Sequence, residues 1–284
     1  MPEGVEVKGT TDEIAPVATG QTIVRLSAVG PHGHGLDFKS CPLPMKITRV
    51  SSYGKKMILV LANGGILVSS FGMAGRWSFA LGDHCRVALS LGESGECKGA
   101  DGGIVRYDII KRVLYFLEPR PFGGLEYVPP ERVAEYSKGF GVDPLSAEVS
   151  MEQWYRIFQD PKIAKWDLVQ LFKDQSRIAG PGNYIRPEIF YRARVAPMRL
   201  INTLTKDEVD LLHRETHAVM REAYAAGGHT IKDYLPPSGK HGGFAPKVYR
   251  RAGEAMVDSY GNAITTYKRL AGDQTTYWVP AVQK

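Results

Sequence analysis

The hydrophobic period of this chain changes near Pro129-Pro130, and that change limits the folds open to it. From Thr22 to about Val128 the apolar residues fall in short β-branched runs. These are Thr22 to Val29, Lys46 to Ser52, Met57 to Leu61, Ile66 to Ser70, Cys85 to Leu91, Ile104 to Tyr107 and Val113 to Leu117. Side chains alternate across a strand, so runs of this length, broken by turn residues such as Asn63-Gly64, predict an antiparallel sandwich or barrel. Beyond the prolines the spacing becomes three-and-four. It predicts helices over Met151 to Gln159 and over Ile163 to Phe172. Thr205-Lys206-Asp207-Glu208 has the form of a capping box and opens a long helix to about Ala226, where Gly227-Gly228 stops it. A short amphipathic helix is expected over Glu3 to Ala18, ended by Gly20, and short strands and turns return after Gly228. The fold class is therefore α+β, divided into 1–130, 131–228 and 229–284.

Composition narrows the partners. The 36 Lys and Arg against 30 Asp and Glu leave a net charge of +6, which suits a polyanion without requiring one. Its distribution says more. Residues 161–200 hold Lys162, Lys165, Lys173, Arg177, Arg186, Arg192, Arg194 and Arg199 against Asp167, Asp174 and Glu188. The cysteines Cys41, Cys85 and Cys97 are odd in number and widely spaced, which suits neither a disulfide framework nor a zinc quartet. No stretch approaches the roughly 20 apolar residues of a membrane span, and no signal pattern opens the chain, so an intracellular protein is expected.

Two stretches carry chemistry. Met1-Pro2 is a context in which the initiator residue is usually removed, leaving Pro2 with a free secondary amine. An α-amino group has an unperturbed pKa of about 7.7 to 8.0, so a good fraction is nucleophilic near neutrality. Amines form Schiff bases with aldehydic carbons, and Glu3 and Glu6 are near enough in the chain for the proton transfers. Taken alone, the stretch also reads as an ordinary solvated chain end. The second stretch, Asp174 to Ile185, separates two helices and packs Gly180, Pro181 and Gly182 together before a helix that begins near Pro187. Consecutive N–H groups in such a turn, with a helix N-terminus, make a site for a phosphate. On these residues alone it serves equally as a plain interhelical loop.

Asp174-Gln175, Ala179-Gly180-x-Gly182-Asn183, Glu188-Ile189 and Arg192-Ala193-Arg194 together resemble the helix-two-turn-helix signature of the formamidopyrimidine-DNA glycosylase and endonuclease VIII family. The N-terminus is similar to that family's Pro-Glu-x-x-Glu. The resemblance implies a base-excision repair glycosylase with β,δ lyase activity on damaged double-stranded DNA, working as a monomer without a cofactor. Pro2 would attack the sugar C1′, Glu3 would protonate the opened sugar and shuttle protons, and Glu6 would support that network. Lys55, or its neighbour Lys56, would contact phosphate beside the lesion, and Asn183 would bind the DNA. Phe71-Gly72-Met73-Ala74-Gly75 and Pro119-Arg120-Pro121-Phe122-Gly123 look like the family's gap-filling loops. An extruded nucleotide leaves a hole in the stack, which Met73, Arg120 and Phe122 suit by type. Without the resemblance, Met73 and Phe122 would read as core. Gly227 to Tyr234, continuing to Gly242-Gly243-Phe244 and Val248-Tyr249-Arg250, is similar to a mobile loop placed over oxidised purines.

The chain also departs from the family. It has no cysteine after Cys97, and the expected zinc-ligand positions hold Met256, Ser259 or Tyr260, and Trp278. Thr275 to Lys284 resembles a zincless finger, a β-hairpin in which Tyr277 and Trp278 would supply core, so no metal is expected. Gln274 stands where an arginine usually grips the flanking phosphates, and Val5 where a second proline is usual. Gln274 motivates an alternative, a damaged-DNA-binding relative without catalysis. Lesion preference is open between oxidised purines with formamidopyrimidines, favoured by the loop, and hydantoins with oxidised pyrimidines, favoured by the finger.

Overall fold

The computed structural model describes residues 1–29, 35–98, 103–230, 234–250, 254–270 and 273–284. The chain forms two compact units, each assembled from separate segments. One comprises Met1–Pro2, Glu6–Lys138 and Ile231–His241, and the other Glu3–Val5, Gly139–Thr230 and Gly242–Lys284.

In the first unit, helix α1 (Gly4–Ala18) contributes Val7, Ile14 and Ala18 to a core built mainly by strands. These are β1 (Thr22–Ala28), β2 (Leu36–Asp37), β3 (Met45–Tyr53), β4 (Lys56–Leu61), β5 (Ile66–Ser70), β6 (Arg76–Ser78), β7 (Cys85–Lys98), β8 (Ile104–Leu117) and β9 (Gly124–Val128). Their order is β2-β9-β5-β4-β3-β1-β7-β8-β6, antiparallel except for β2 beside β9. β1 meets β3 through only two residue pairs, Thr22 with Lys46 and Ile23 with Met45. The sheet folds over at that joint, and its halves share one core as a sandwich. Trp77 Nε1 on β6 donates to Ser69 Oγ on β5 at 3.0 Å, and Phe71 lies 6.3 Å from Phe116 between ring centroids. The Asn63-Gly64 hairpin forms as its residues predict, with Asn63 Oδ1 accepting the Gly65 N–H at 3.0 Å. Helix α2 (Pro130–Ser137) closes the unit by packing Val133 and Tyr136 on Ile66, Val68 and Val128.

Strand prediction fails at β9, a buried five-residue strand that no expected run covers, and where the pattern is short or solvated. β2 and β6 span two and three residues, too few for alternation to show. The runs Ile104 to Tyr107 and Val113 to Leu117 are one strand, β8, because residues 104–112 are exposed on both faces and Asp108, Lys111 and Arg112 break the apolar pattern.

The second unit is helical: α3 (Met151–Phe158), a 3-10 turn (Pro161–Ile163), α4 (Leu168–Lys173), α5 (Ile185–Ala193), a 3-10 turn (Ile201–Thr203) and α6 (Lys206–Ala225). The helix expected over Ile163 to Phe172 is interrupted. Asp167 is extended and caps a new helix, its carboxylate accepting the Gln170 N–H at 2.8 Å while Gln170 Oε1 accepts the Asp167 N–H at 3.1 Å. The capping box at Thr205 and Glu208 forms as expected. Trp154 is fully buried among Phe158, Phe172 and His213, with its indole N–H donated to Val209 O at 3.2 Å. The unit ends in the hairpin of β10 (Thr265–Tyr267) and β11 (Thr276–Trp278). Its core is Tyr191, Val248, Ile264 and Val279, with Tyr277 packed on it. Trp278, expected in that core, is only partly buried and lies outside this cluster. A β-strand directs successive side chains to opposite faces, so Tyr277 and Trp278 cannot both fill one core.

Within α6, His217 is buried, its Nδ1 lies 2.9 Å from Pro144 O, and its ring centroid stands 4.8 Å from that of His213. Burial, reinforced by His213, lowers its pKa. The unfolded chain therefore takes up this proton first as pH falls through about 6.5, and stability declines with it until the folded state also protonates. The melting temperature should drop between about pH 7.5 and pH 5.5, and His217→Gln should flatten that dependence in calorimetric scans.

Candidate functional site

In the second unit the sequence-predicted groups gather around one turn. Helices α4 and α5 are joined by residues 174–184, and Gln175 spans this loop. Its Oε1 accepts the Gly180 N–H at 2.9 Å and its Nε2 donates to Pro181 O at 3.1 Å. The chain start docks on the same turn: Gly4 N donates to Gly180 O at 3.0 Å, and the buried Glu3 accepts the Tyr184 N–H at 2.9 Å through Oε1. Glycine at 182 is a steric requirement, because a Cβ there would lie 2.6 Å from Glu3 Oε1. Asn183 follows immediately, and its Oδ1 is held at 2.9 Å by Arg186, which also reaches Gln274 Oε1 at 3.2 Å. Glu3, Asn183 and Gln274 are thus brought together. Glu188, two residues beyond Arg186 on α5, is buried and accepts the N–H groups of Lys247, Val248 and Tyr249 at 2.8 to 2.9 Å. It ties the segment before the finger to α5.

In the first unit, sheet register collects three predicted loops at one end. Tyr53 pairs with Lys56, Lys56 with Ser70, and Ser70 with Gly124. The Gly54-Lys55 turn, the Met73 loop and the Phe122 loop therefore emerge side by side. Of the two candidate lysines, Lys56 is committed elsewhere: its Nζ donates to Tyr136 Oη at 3.3 Å, and burial lowers its pKa against the opposing effect of Glu126. Lys55 stands at the turn itself. Met73 and Phe122 are 42% and 68% exposed, so neither is core.

The backbone of the Phe122 loop is held by a carboxylate that no sequence motif marks. Glu118 Oε1 accepts the Phe122 N–H at 3.1 Å and also the Gly123 N–H, while Oε2 forms a buried ion pair with Arg86, whose Nη1 reaches Gly123 O at 3.0 Å. Gly72, at φ +57°, lets the Met73 loop abut the same carboxylate; a Cβ there would meet Glu118 Oε1 at 2.6 Å. No local sequence signal marks Arg86 as the partner of a glutamate on the far side of a hairpin.

Glu6 belongs to the first unit and is buried; its carbonyl accepts the Tyr234 hydroxyl at 2.9 Å, which also bonds to Thr10 Oγ1. Tyr234 is thus a buried anchor on α1. Ile231–Asp233 of that loop lie outside the described residues. At the finger, Met256 and Tyr260 are exposed, and the turn is organised by Asp258, which accepts the Tyr191 hydroxyl at 3.0 Å and the Asn262 N–H at 2.8 Å. These side chains do not fit a zinc ion, and among the described residues no group of three or more His, Cys, Asp or Glu is placed to hold a metal. Among them, too, no helix is long and apolar enough to cross a membrane.

Residues 1–125 match the formamidopyrimidine-DNA glycosylase N-terminal domain, and residues 140–234 match the formamidopyrimidine-DNA glycosylase H2TH domain. Formamidopyrimidine-DNA glycosylase of Thermus thermophilus is 31% identical, covering 100% of this chain and 98% of the relative. The enzyme of the same name from Novosphingobium aromaticivorans is 30% identical, with 100% of both chains covered. The crystal structure of the MutM (Fpg) protein from Thermus thermophilus matches with a TM-score of 0.81 at 28% identity, covering 99% of this chain and 98% of that one. The Lactococcus lactis Fpg in complex with abasic-site DNA has the same fold, with a TM-score of 0.77 at 22% identity and 99% of each chain covered. These matches place the chain among DNA-repair glycosylases. The chain belongs to the formamidopyrimidine-DNA glycosylase family.

Removing one member of a buried ion pair strands the other. Glu118→Ala should therefore cost about 3 to 5 kcal/mol, read as a lowered urea midpoint, because Arg86 would keep its charge without its carboxylate.

Proposed function

We propose that this chain is a bifunctional base-excision enzyme, a DNA glycosylase and β,δ AP lyase that acts on damaged double-stranded DNA through a Schiff base on Pro2. The observation that carries this reading is the placement of Glu3: the carboxylate next to Pro2 in the chain is buried on Gly182 and held by the Tyr184 N–H, in the turn that bears Asn183. An acid fixed beside an N-terminal amine is what sugar-imine chemistry needs.

With Met1 removed, the Pro2 nitrogen lone pair forms the N–C1′ bond as the bond from C1′ to the base breaks; the base departs with that electron pair and takes up the proton that the Pro2 nitrogen loses. Glu3 delivers a proton to the ring oxygen as the sugar opens to the imine. Loss of a C2′ proton then expels the 3′ phosphate, and a second elimination expels the 5′ phosphate. Hydrolysis frees Pro2. Glu6 supports the proton network, Lys55, Asn183 and Gln274 bind phosphates, and Met73, Arg120 and Phe122 fill the space of the extruded nucleotide. The exposure of Met73 and Phe122 supports that last role. Substrates are oxidised bases. The names of the relatives support formamidopyrimidines, with 8-oxoguanine, hydantoins and oxidised pyrimidines as further candidates. The enzyme acts as a monomer, wherever genomic DNA is held, with 1–130 catalytic, 131–228 binding DNA and 229–284 forming lesion loop and finger.

Borohydride trapping on an abasic-site duplex should give a covalent adduct that peptide mapping places on the Pro2 nitrogen, in protein whose Met1 is gone. Glu3→Gln should lower base excision by about 10²- to 10⁴-fold while duplex binding persists. No adduct from correctly processed protein would instead identify a damaged-DNA-binding relative without catalysis.

A further inference from the structure

Arg186 is 1% exposed and carries a charge that no carboxylate neutralises at contact distance among the described residues. Its donors go to neutral oxygens: Nε to Gly182 O at 2.9 Å, Nη1 to Val169 O at 3.5 Å, and Nη2 to Asn183 Oδ1 at 2.9 Å and Gln274 Oε1 at 3.2 Å. Glu3 and Asp273 act on it only at longer range, and burial lowers its pKa. It also sits in the first turn of α5, where the helix dipole disfavours a cation and favours an anion. Buried charges are normally paired, and this one lacks a contact counter-ion at a place built to attract one.

The two amides complete the site. A carboxamide whose oxygen is engaged presents its NH₂ as the remaining donor. Arg186 engages both oxygens, which fixes the orientation of Asn183 and Gln274 and leaves Nδ2 and Nε2 to donate. Both residues reach the surface, and Arg186 and Gln274 line a cavity of about 300 Å³ beside Asn183, together with Arg269, Asp174 and the ion pair of Lys173 with Asp273 at 3.0 Å.

We propose that Arg186 is a positioning residue that clamps one DNA phosphate through Asn183 and Gln274, supplying from beneath the surface the positive charge that Gln274 itself lacks. This rests on the reading of the chain as a DNA-binding glycosylase. In this arrangement Gln274 is a fitted part of the clamp: the amides give geometry and the guanidinium gives charge.

The test is duplex binding as a function of salt, using an uncleavable tetrahydrofuran-site duplex, so that it does not depend on the Pro2 chemistry. Only a charged group releases counter-ions, at a slope of about 0.9 per neutralised phosphate in log K against log salt. Arg186→Met should reduce that slope by about one and weaken binding at least tenfold at low salt. Gln274→Ala should weaken binding at every salt concentration with the slope unchanged. It should add little in the Arg186→Met background, because its orientation is already lost. Arg186→Lys, which keeps the charge if the methionine variant does not fold, should retain the slope and lose affinity. A wild-type slope in folded Arg186→Met, or a reduced slope in Arg186→Lys, would overturn the proposal. A failure of borohydride trapping with these slopes intact would instead count against the catalytic reading alone.

Discussion

Glu3 Oε1 and the Tyr184 N–H are 181 residues apart in sequence, and much of the second unit is arranged so that they meet. The turn that presents Tyr184 must carry glycine at 182 to let the carboxyl in, and Gln175 must span the loop to keep its carbonyls and N–H groups in place. Hydrogen bonds to a charged group contribute about 1.5 to 3 kcal/mol net, more than a neutral pair, and burial makes them costly to lose. From the same turn α5 departs with Arg186 and Glu188, which hold Asn183, Gln274 and the backbone from Lys247 to Tyr249. One loop therefore aligns the chain start, the side-chain amides of Asn183 and Gln274 and the segment before the finger.

The first unit solves a different problem, that of keeping apolar side chains in water. Met73 and Phe122 would gain by collapsing into the core, as most residues of their type do. The Phe122 loop is bonded at the backbone, where Glu118 accepts from Phe122 and Gly123 and is neutralised by Arg86, and the Met73 loop is closed by the Gly75 N–H donated to Phe71 O at 2.7 Å. A buried ion pair of this kind contributes little to stability once desolvation is counted. Its value here is positional. The alternation of β4, β5 and β9 does the rest, by bringing the three loops to one sheet end through register alone.

Legibility in the sequence followed the range of the interaction. The Asn63-Gly64 turn and the Thr205 capping box depend on neighbours within four residues, and both were readable. Asp167 is equally local, yet it was read through, because the apolar positions on either side keep helical spacing across the cap. β8 reads as two strands because a hairpin exposed on both faces carries no alternation. Site residues were legible as types: an N-terminal amine with nearby carboxylates, a glycine-rich turn, a methionine and a phenylalanine between glycines. Glu118, Arg86 and Arg186 carry no such mark, because Glu118 and Arg86 meet across a hairpin and Arg186 reaches Gln274 on another element, although Glu118 and Arg186 also bond to near neighbours.

By itself the sequence determined the element types, the switch from sheet to helix near Pro130, the family resemblance of its motifs and the substitution of Gln274 for a cation. These depend on local propensity, period and residue identity. Only the tertiary structure decided which lysine is committed to Tyr136, that Tyr234 is an anchor on α1, that Trp278 lies outside the finger core, and that Gln274 is held by Arg186. Each of those outcomes depends on which distant group lies within a few ångströms. That is set by the packing of whole elements, and no window of sequence contains it.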